Sequence, residues 1–122
     1  MDFTEAFRNS RVTILDDDQI VCESLTEVIR SWGLSTQYFT EPETALKHIR
    51  DNGSDIVLLD VFISGISGLD LIPQISNEAS DNLKIIIITG FADKDTAIRA
   101  LKLGAFDLIE KPFQNECCTI QY

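Results

Sequence analysis

The sequence predicts an α/β fold with a doubly wound parallel sheet of five strands. Runs of aliphatic and β-branched residues recur at 11–15, 55–60 and 83–88, and such continuous apolar runs are typical of parallel strands covered on both faces. Segments with helical spacing of apolar residues alternate with these runs. Two runs lead into aspartates, Asp16 and Asp60, and sheets of this class bind ligands beyond the carboxyl ends of their strands.

The size and charge of the chain restrict the class of protein to which it can belong. Its 122 residues, 44% hydrophobic and 25% charged, fit one globular domain. The formal net charge is -10, with 20 acidic side chains against 10 basic ones. Because such a surface repels phosphate groups, we expect this domain to bind neither nucleic acid directly nor membranes.

The N-terminus and the cysteines favour a cytoplasmic protein. Residues 1–8 contain two acidic side chains and lack the apolar segment of a signal peptide, and the sequence has no run of about 20 apolar residues that would span a bilayer. Three cysteines, Cys22, Cys117 and Cys118, do not make a disulfide framework. We therefore expect free thiols in a reducing compartment.

Residues 1–10 precede the first strand and are predicted to be an N-terminal extension; the domain itself is expected over residues 11–122. The first strand, 11–15, is followed by a helix that ends at Gly33. Cys22 lies just off the apolar face of that helix. The residues expected on the face are Val21, Leu25, Val28 and Trp32.

A second strand, 35–39, leads to a predicted capping box, in which Thr40 and Glu43 begin the next helix. This helix is expected to end at Asn52-Gly53. Its apolar face should contain Ala45, Leu46 and Ile49.

The third strand, 55–60, is followed by a glycine-punctuated loop over 61–68. Pro73 lies inside the helical pattern that comes next, and we expect it to kink or shorten that helix. The fourth strand, 83–88, ends in Thr89-Gly90. The helical pattern is formed by Leu69, Leu71, Ile72 and Ile75.

The last predicted helix is capped by Asp93, ends at Gly104, and precedes a fifth strand at 105–109. Residues 115–122 are poor helix formers, so a fifth helix should be short or missing, as in a piece of a longer protein. The apolar face of the last predicted helix should hold Ala97, Ile98 and Leu101. Core positions are expected for Trp32, Phe39, Phe106 and Phe113.

Parallel crossovers are right-handed, and the commonest arrangement of five such units is the flavodoxin-like strand order 2-1-3-4-5. In that order strands 1 and 3 are neighbours, so the carboxylates of Asp16, Asp17 and Asp60 should converge. Neighbouring carboxylates repel by about 4 kcal/mol per pair at ~4 Å and an effective dielectric constant of about 20. Oxygen ligands with open positions suit Mg²⁺, and Ca²⁺ is an alternative.

Two phosphate-binding groups are expected at the same edge, the hydroxyl of Thr89 and the ammonium of Lys111. A metal ion, a lysine and a hydroxyl are what phosphoryl transfer requires. Asp60 would then be the nucleophile, forming an aspartyl phosphate.

In order and spacing, these residues resemble the receiver domain of bacterial response regulators over about residues 11–113. The matching positions are the acidic pair Asp16-Asp17, the phosphoacceptor Asp60, the switch hydroxyl Thr89 and the motif Lys111-Pro112-Phe113. Residues 104–113 look especially like receivers attached to DNA-binding or ATPase outputs.

The resemblance implies a phosphohistidine donor on a histidine kinase or a phosphotransfer protein. It also implies Mg²⁺ bound chiefly by Asp17 and Asp60, with Asp16 assisting and the carbonyl of Phe62 as a further ligand. Thr89 would move inward on phosphorylation and change the surface of the fourth helix and fifth strand. Such a domain is a signalling phosphoacceptor without a separate substrate; its expected partners include a C-terminal output domain and a second copy of the chain.

Two positions depart from the family pattern. Leu108 stands where receivers usually have an aromatic residue that moves with the threonine, and Ser64 replaces the usual proline. The alternative hypothesis is therefore a pseudo-receiver, which keeps the fold as a phosphorylation-independent interaction module. A phosphatase of the haloacid dehalogenase type is disfavoured, because it needs a second aspartate where this chain has Phe62.

Overall fold

A computed structural model gives the fold of this protein and describes residues 10–63, 66–78, 82–90 and 94–110. Its main strands are β1 (Arg11–Leu15), β2 (Ser35–Phe39), β3 (Ile56–Asp60), β4 (Lys84–Thr89) and β5 (Asp107–Glu110). Its α-helices are α1 (Gln19–Ser31), α2 (Pro42–Asn52), α3 (Leu71–Glu78) and α4 (Lys94–Lys102). Two short antiparallel strands of two residues each, Phe62–Ile63 and Ile66–Ser67, pair as a small hairpin. A 3₁₀ helix, Gly68–Asp70, leads into α3.

The five strands are all parallel and lie in the order β2-β1-β3-β4-β5, which confirms the predicted doubly wound, flavodoxin-like sheet. Leu15 at the end of β1 lies opposite Leu59 in β3. Asp60, the last residue of β3, lies opposite Ile88 in β4. The carboxyl ends of β1, β3 and β4 therefore meet at one edge of the sheet.

The strands are buried on both faces, because alternate residues of one strand point to opposite sides. Val57 and Leu59 belong to a core cluster with residues of α2 and α3, whereas Ile56 and Leu58 belong to a second cluster with residues of α1. This arrangement explains why the strands are continuous apolar runs in the sequence. It also leaves the strand ends, rather than the strand faces, available to polar groups.

The apolar face of α1 differs from the prediction. Cys22, Leu25 and Ile29 are buried, whereas Val21 and Val28 are only partly buried. Leu25 belongs to both the predicted and the observed face, and the observed face is displaced around the helix towards Cys22 and Ile29. Val21 and Trp32 still pack against the same core cluster at its border. Cys22 belongs to this face because its thiol packs against the end of β1, with Sγ 3.2 Å from the carbonyl oxygen of Asp16.

The predicted capping box of α2 is wrong. Glu41 occupies the N-cap position without a side-chain hydrogen bond, and Pro42 begins the helix. Proline is favoured there because its missing N–H would have no helical acceptor. The other end is confirmed: Gly53 has φ 79° and donates its N–H to the carbonyl oxygen of Ile49 at 2.8 Å.

The segment after β3 was predicted as a loop, but its described residues include two short paired strands and the 3₁₀ helix. Pro73 lies within a single short helix, α3, of eight residues. It lies in the first turn of α3, where the ring replaces an N–H that the α-helix does not need. The 3₁₀ turn before α3 shifts the helix start, and sequence spacing alone did not reveal that shift.

The predicted face of α4 is wrong as well. Ala100 is completely buried, whereas Ile98 is 39% and Leu101 54% exposed. Ala100 lies in the core cluster beside the sheet, and its carbonyl oxygen accepts the N–H of Ala105 at 3.0 Å. A small side chain at the contact brings α4 close to the sheet, so the larger apolar side chains point away from it.

Three of the four aromatic residues predicted for the core lie within the described residues. Trp32 and Phe39 pack against the two core clusters while remaining partly exposed. Phe106 is 56% exposed, and its ring lies under the ammonium of Lys84 at 5.3 Å, so its core prediction is wrong. Phe113 and the residues of the predicted fifth helix lie outside the described residues.

Within the described ranges, no helix has both the length and the apolar character needed to cross a membrane.

Candidate functional site

The candidate site is an acidic cluster at the carboxyl edge of the sheet. Asp16 follows β1, and its N–H continues the ladder to β2 by donating to the carbonyl oxygen of Phe39 at 3.2 Å. Asp60 ends the neighbouring strand β3. The parallel pairing of the two strands therefore brings together residues from distant parts of the chain.

The carboxylates of Asp16, Asp17 and Asp60 each offer an oxygen atom, and these three atoms lie within 4.8 Å of one another. Asp16 is buried, with 3% of its surface exposed, Asp60 is half-buried and Asp17 is exposed. The site is thus anchored in the protein on one side and open to solvent on the other. A donor or a hydrated cation can approach from that open side.

The chemistry of this donor set fits a hard divalent cation. At about 4 Å, two carboxylates repel each other by about 4 kcal/mol at an effective dielectric constant of about 20. A cation bound between them attracts both carboxylates and offsets this repulsion. All three donors are carboxylate oxygens, the ligands that Mg²⁺ and Ca²⁺ prefer. The structure therefore brings the three carboxylates together, in an arrangement that could hold a metal ion.

A backbone turn holds Asp16 in place. The N–H of Asp18 donates to Oδ1 of Asp16 at 2.9 Å. The carboxylate of Asp18 points to α1 instead, where it accepts the N–H groups of Ile20 at 3.0 Å and Val21 at 3.4 Å. Of the three consecutive aspartates, Asp16 and Asp17 thus belong to the cluster, and Asp18 caps α1.

Thr89 lies at the same edge as the cluster. It is the last residue of β4, is 1% exposed, and follows Ile88, the partner of Asp60 in the sheet. On its other side it pairs with Glu110, the last residue of β5. The predicted hydroxyl is therefore placed one residue beyond the position that lies opposite Asp60.

Two predicted site groups are only partly covered by the structure. Phe62 pairs with Ser67 in the hairpin, two residues after Asp60, and its carbonyl remains a predicted metal ligand. Lys111 and Pro112 follow the end of β5 but lie outside the described residues. Lys111 therefore remains a predicted site residue.

Sequence reasoning missed Gly68, which it treated only as part of a loop. This glycine is buried, and a Cβ at this position would overlap the backbone carbonyl oxygen of Asp60. A glycine shortly before a helix is compatible with such a close backbone approach, but it is a weak signal by itself.

Comparison with known proteins agrees with the fold. The family model for the response regulator receiver domain matches residues 12–119. This chain belongs to that family, which comprises the receiver domains of two-component response regulators.

Among curated relatives, the response regulator protein TodT of Pseudomonas putida is 38% identical over 109 residues, which are 89% of this chain and 48% of that protein. The transcriptional regulatory protein FixJ of Azorhizobium caulinodans is 36% identical over 104 residues, 85% of this chain and 49% of that protein. The chain thus spans about half the length of these relatives.

Among solved structures, a response regulator protein from Burkholderia pseudomallei, described with a phosphorylated aspartic acid, a calcium ion and citrate, superimposes with a TM-score of 0.82. The two chains share 23% sequence identity, and the match covers 93% of this chain and 67% of that one. This likeness confirms the fold.

Proposed function

We propose that this chain accepts a phosphoryl group on Asp60, from a phosphohistidine of a histidine kinase or phosphotransfer protein, and thereby switches an output. The observation that carries the proposal is the cluster of Asp16, Asp17 and Asp60 carboxylate oxygens within 4.8 Å at the end of β3. The family match supports it, since receivers are signalling phosphoacceptors that interact with histidine kinases.

Asp17 and Asp60, with Asp16 assisting, would hold Mg²⁺ together with the carbonyl of Phe62. When bound, the metal ion would neutralise charge on the oxygens of the transferred phosphoryl group. The buried Asp16 is held by the Asp18 amide and gives the site a fixed wall, while the exposed Asp17 leaves room for water ligands.

Asp60 is suited to act as the nucleophile. One of its carboxylate oxygens would form the new O–P bond as the P–N bond of the donor phosphohistidine breaks, and the imidazole leaves with the electron pair. Because Asp60 is half-buried, a donor can reach it from the open side. The ammonium of Lys111 would pair with the phosphoryl oxygens and offset their charge.

Thr89 would report the phosphorylated state. Its hydroxyl would move inward and donate a hydrogen bond to the phosphoryl group. Because β4 lies beside β5, this movement of Thr89 would change the surface formed by α4 and β5. Leu108, half-buried against the core, occupies the usual aromatic position. The change would therefore proceed without aromatic coupling.

The partners follow from the family and the relatives. We propose a cognate sensor kinase, a C-terminal output domain like those of the transcriptional regulators that this chain resembles, and a second copy of the chain as a further partner. We also propose a cytoplasmic location, with direct nucleic-acid contact left to the output domain. The Mg²⁺ ion is the proposed cofactor.

The proposal is tested by intact-protein mass spectrometry after incubation with acetyl phosphate, with and without Mg²⁺. We expect one phosphoryl adduct on the unaltered chain and on Asp70→Asn, which removes an exposed carboxylate outside the cluster. We expect none on Asp60→Asn and none without Mg²⁺. A folded, unaltered chain that forms no adduct would favour the pseudo-receiver hypothesis.

A further inference from the structure

Gly68 contacts the backbone of Asp60 more closely than any other residue type allows. If a Cβ is built on Gly68, it overlaps the carbonyl oxygen of Asp60 and lies 3.0 Å from the carbonyl carbon of Asp60 and 3.1 Å from the carbonyl oxygen of Val61. The N–H of Gly68 also donates a hydrogen bond to the carbonyl oxygen of Val61. Gly68 therefore holds the two peptide groups that follow the Asp60 side chain.

The atoms around Gly68 are poorly able to move away. The obstructing atoms belong to the backbone, and Asp60 is fixed in the sheet opposite Ile88. Val61, Ile63 and Leu69 are all buried in one core cluster, so both arms of the segment are anchored on either side of the contact. A β-carbon at residue 68 would displace either the end of β3 or the start of the 3₁₀ helix.

The segment between these anchors carries a proposed metal ligand. The chain runs from Asp60 through the hairpin strand Phe62–Ile63 and returns through Ile66–Ser67 to Gly68. Ser67 adds a local restraint, because its Oγ accepts the N–H of Leu69 at 3.2 Å. Phe62 therefore lies between Asp60 and Gly68, and at Gly68 the chain meets the Asp60 backbone again.

We propose that Gly68 is a positioning residue, which fixes the Asp60 carboxylate and the Phe62 carbonyl for binding a divalent cation. The inference rests on the proposed function for its purpose, but it concerns metal affinity and is measurable without phosphorylation. Groups that orient metal ligands typically change affinity by about 10- to 100-fold when they are altered. Gly68→Ala should weaken binding by that factor.

The test is a titration with Mn²⁺, a paramagnetic substitute for Mg²⁺, in which free ion is measured by electron paramagnetic resonance. Gly90→Ala is the matched control: Gly90 lies at the same edge of the sheet, and a Cβ there would meet nothing within 4 Å. Ile29→Ala is the control for lost stability, because Ile29 is buried in the core cluster on the other face of the sheet. We expect both controls to bind Mn²⁺ within about two-fold of the unaltered chain, because a Cβ at Gly90 meets no neighbouring atom and Ile29 lies in the core cluster on the other face of the sheet.

The outcomes separate this inference from the proposed function. If the unaltered chain forms an adduct and Gly68→Ala binds Mn²⁺ as tightly as Gly90→Ala, the positioning role is overturned while the phosphoacceptor role stands. If no adduct forms but Gly68→Ala alone loses Mn²⁺ affinity, the positioning role is supported and the phosphoacceptor role fails. If Ile29→Ala loses as much Mn²⁺ affinity as Gly68→Ala, the weaker binding results from lost stability of the fold, and the inference is also overturned.

A measurement on the unaltered chain avoids any folding defect of Gly68→Ala. We expect the Gly68 amide to exchange its hydrogen slowly, because it is buried and hydrogen-bonded, and its NMR signal to shift when Mg²⁺ is added. The Gly33 amide, in the turn after α1, should not shift. A Gly68 amide that exchanges rapidly and ignores Mg²⁺ contradicts the proposal.

Discussion

The backbone N–H of Asp18 donates a hydrogen bond to the carboxylate of Asp16 at 2.9 Å. At the same time the Asp18 carboxylate caps α1. One residue thus connects the position of a buried carboxylate in the acidic cluster with the start of the first helix. Three consecutive aspartates look equivalent in the sequence, but they have separate tasks in the structure.

This relationship predicts the effect of removing the cap. Asp18→Ala should lower the free energy of unfolding by about 1 kcal/mol, within the usual range of about 0.5–2 kcal/mol for a lost N-cap. Asp18→Asn should stay close to the unaltered chain, because an asparagine oxygen accepts the same N–H groups. Urea unfolding followed by circular dichroism measures both. Equal losses in the two variants would show that charge, rather than capping, matters at Asp18.

The acidic cluster predicts that a divalent cation stabilises the fold. Removing carboxylate repulsion favours the folded state, and ligand at about 100 times its Kd adds about 2.7 kcal/mol to the free energy of unfolding. Thermal unfolding with increasing Mg²⁺ should show a rising Tm for the unaltered chain and for the exposed-site control Asp70→Asn. Asp17→Asn should show a much smaller rise. A Tm that rises equally in all three proteins would indicate nonspecific screening of the -10 charge.

The ion pair between Arg11 and Asp55 predicts a dependence of stability on pH. Side-chain hydrogen bonds from the Arg11 guanidinium hold the pKa of the Asp55 carboxyl below its ordinary value, against a smaller opposing effect of burial. The Asp55 carboxylate also accepts the backbone N–H of Arg11 at 2.7 Å. Since the folded-state pKa is lowered, this pair stabilises the protein above the unfolded-state pKa of about 3.9. The contribution disappears as pH falls through the folded-state value.

The measurement compares the unaltered chain with Asp55→Asn in urea at several pH values. Because the two side chains are 52% and 37% exposed, we expect a difference of only about 0.2–1 kcal/mol at pH 7, after allowance for solvent screening. The difference should shrink below about pH 4. A difference that grows as the solution becomes more acidic contradicts the assigned direction of the pKa shift.

The orientation of α4 gives a fourth prediction. Ala100→Leu should lower the free energy of unfolding by about 1–3 kcal/mol, because extra methylene groups do not fit where Ala100 is completely buried. Leu101→Ala, its neighbour, should change stability by no more than about 0.5 kcal/mol, because Leu101 is exposed. Guanidinium unfolding of both variants decides between the two faces. The reverse order of effects would restore the face predicted from sequence spacing.

Local patterns predicted the strands well. β1 and β2 begin and end as expected, and β3 and β4 begin and end within one residue of the prediction. Continuous β-branched and aliphatic runs, bounded by polar residues and glycine, identify buried parallel strands. Such strands are buried on both faces, so the signal lies within the strand residues themselves. The helix ends near Gly33, Gly53 and Gly104 were also predictable from local sequence. Each of these glycines has a positive φ, which glycine adopts readily and other residues do not.

Helix faces were predicted less well. In α1 and α4 more than one apolar stripe has helical spacing, and the correct stripe depends on which side meets the sheet. Ala100 is preferred at the contact in α4 because of the space available there, which is a property of residues elsewhere in the chain. Pro73 is tolerated because a 3₁₀ turn displaces the helix start, and the spacing of apolar residues does not record such a turn.

Local patterns of residues were enough to predict the order of strands and helices and the acidic residues that follow β1 and β3. Parallel strands must align their carboxyl ends, so the meeting of Asp16, Asp17 and Asp60 followed from topology. The Asp18 cap of α1 is a local contact that reaches only two and three residues ahead. The position of Gly68 against the Asp60 backbone, in contrast, is visible only in the folded structure. The Gly68 contact depends on how closely two backbone segments approach each other, and that approach is set by the packing of the whole domain rather than by any local pattern of residues.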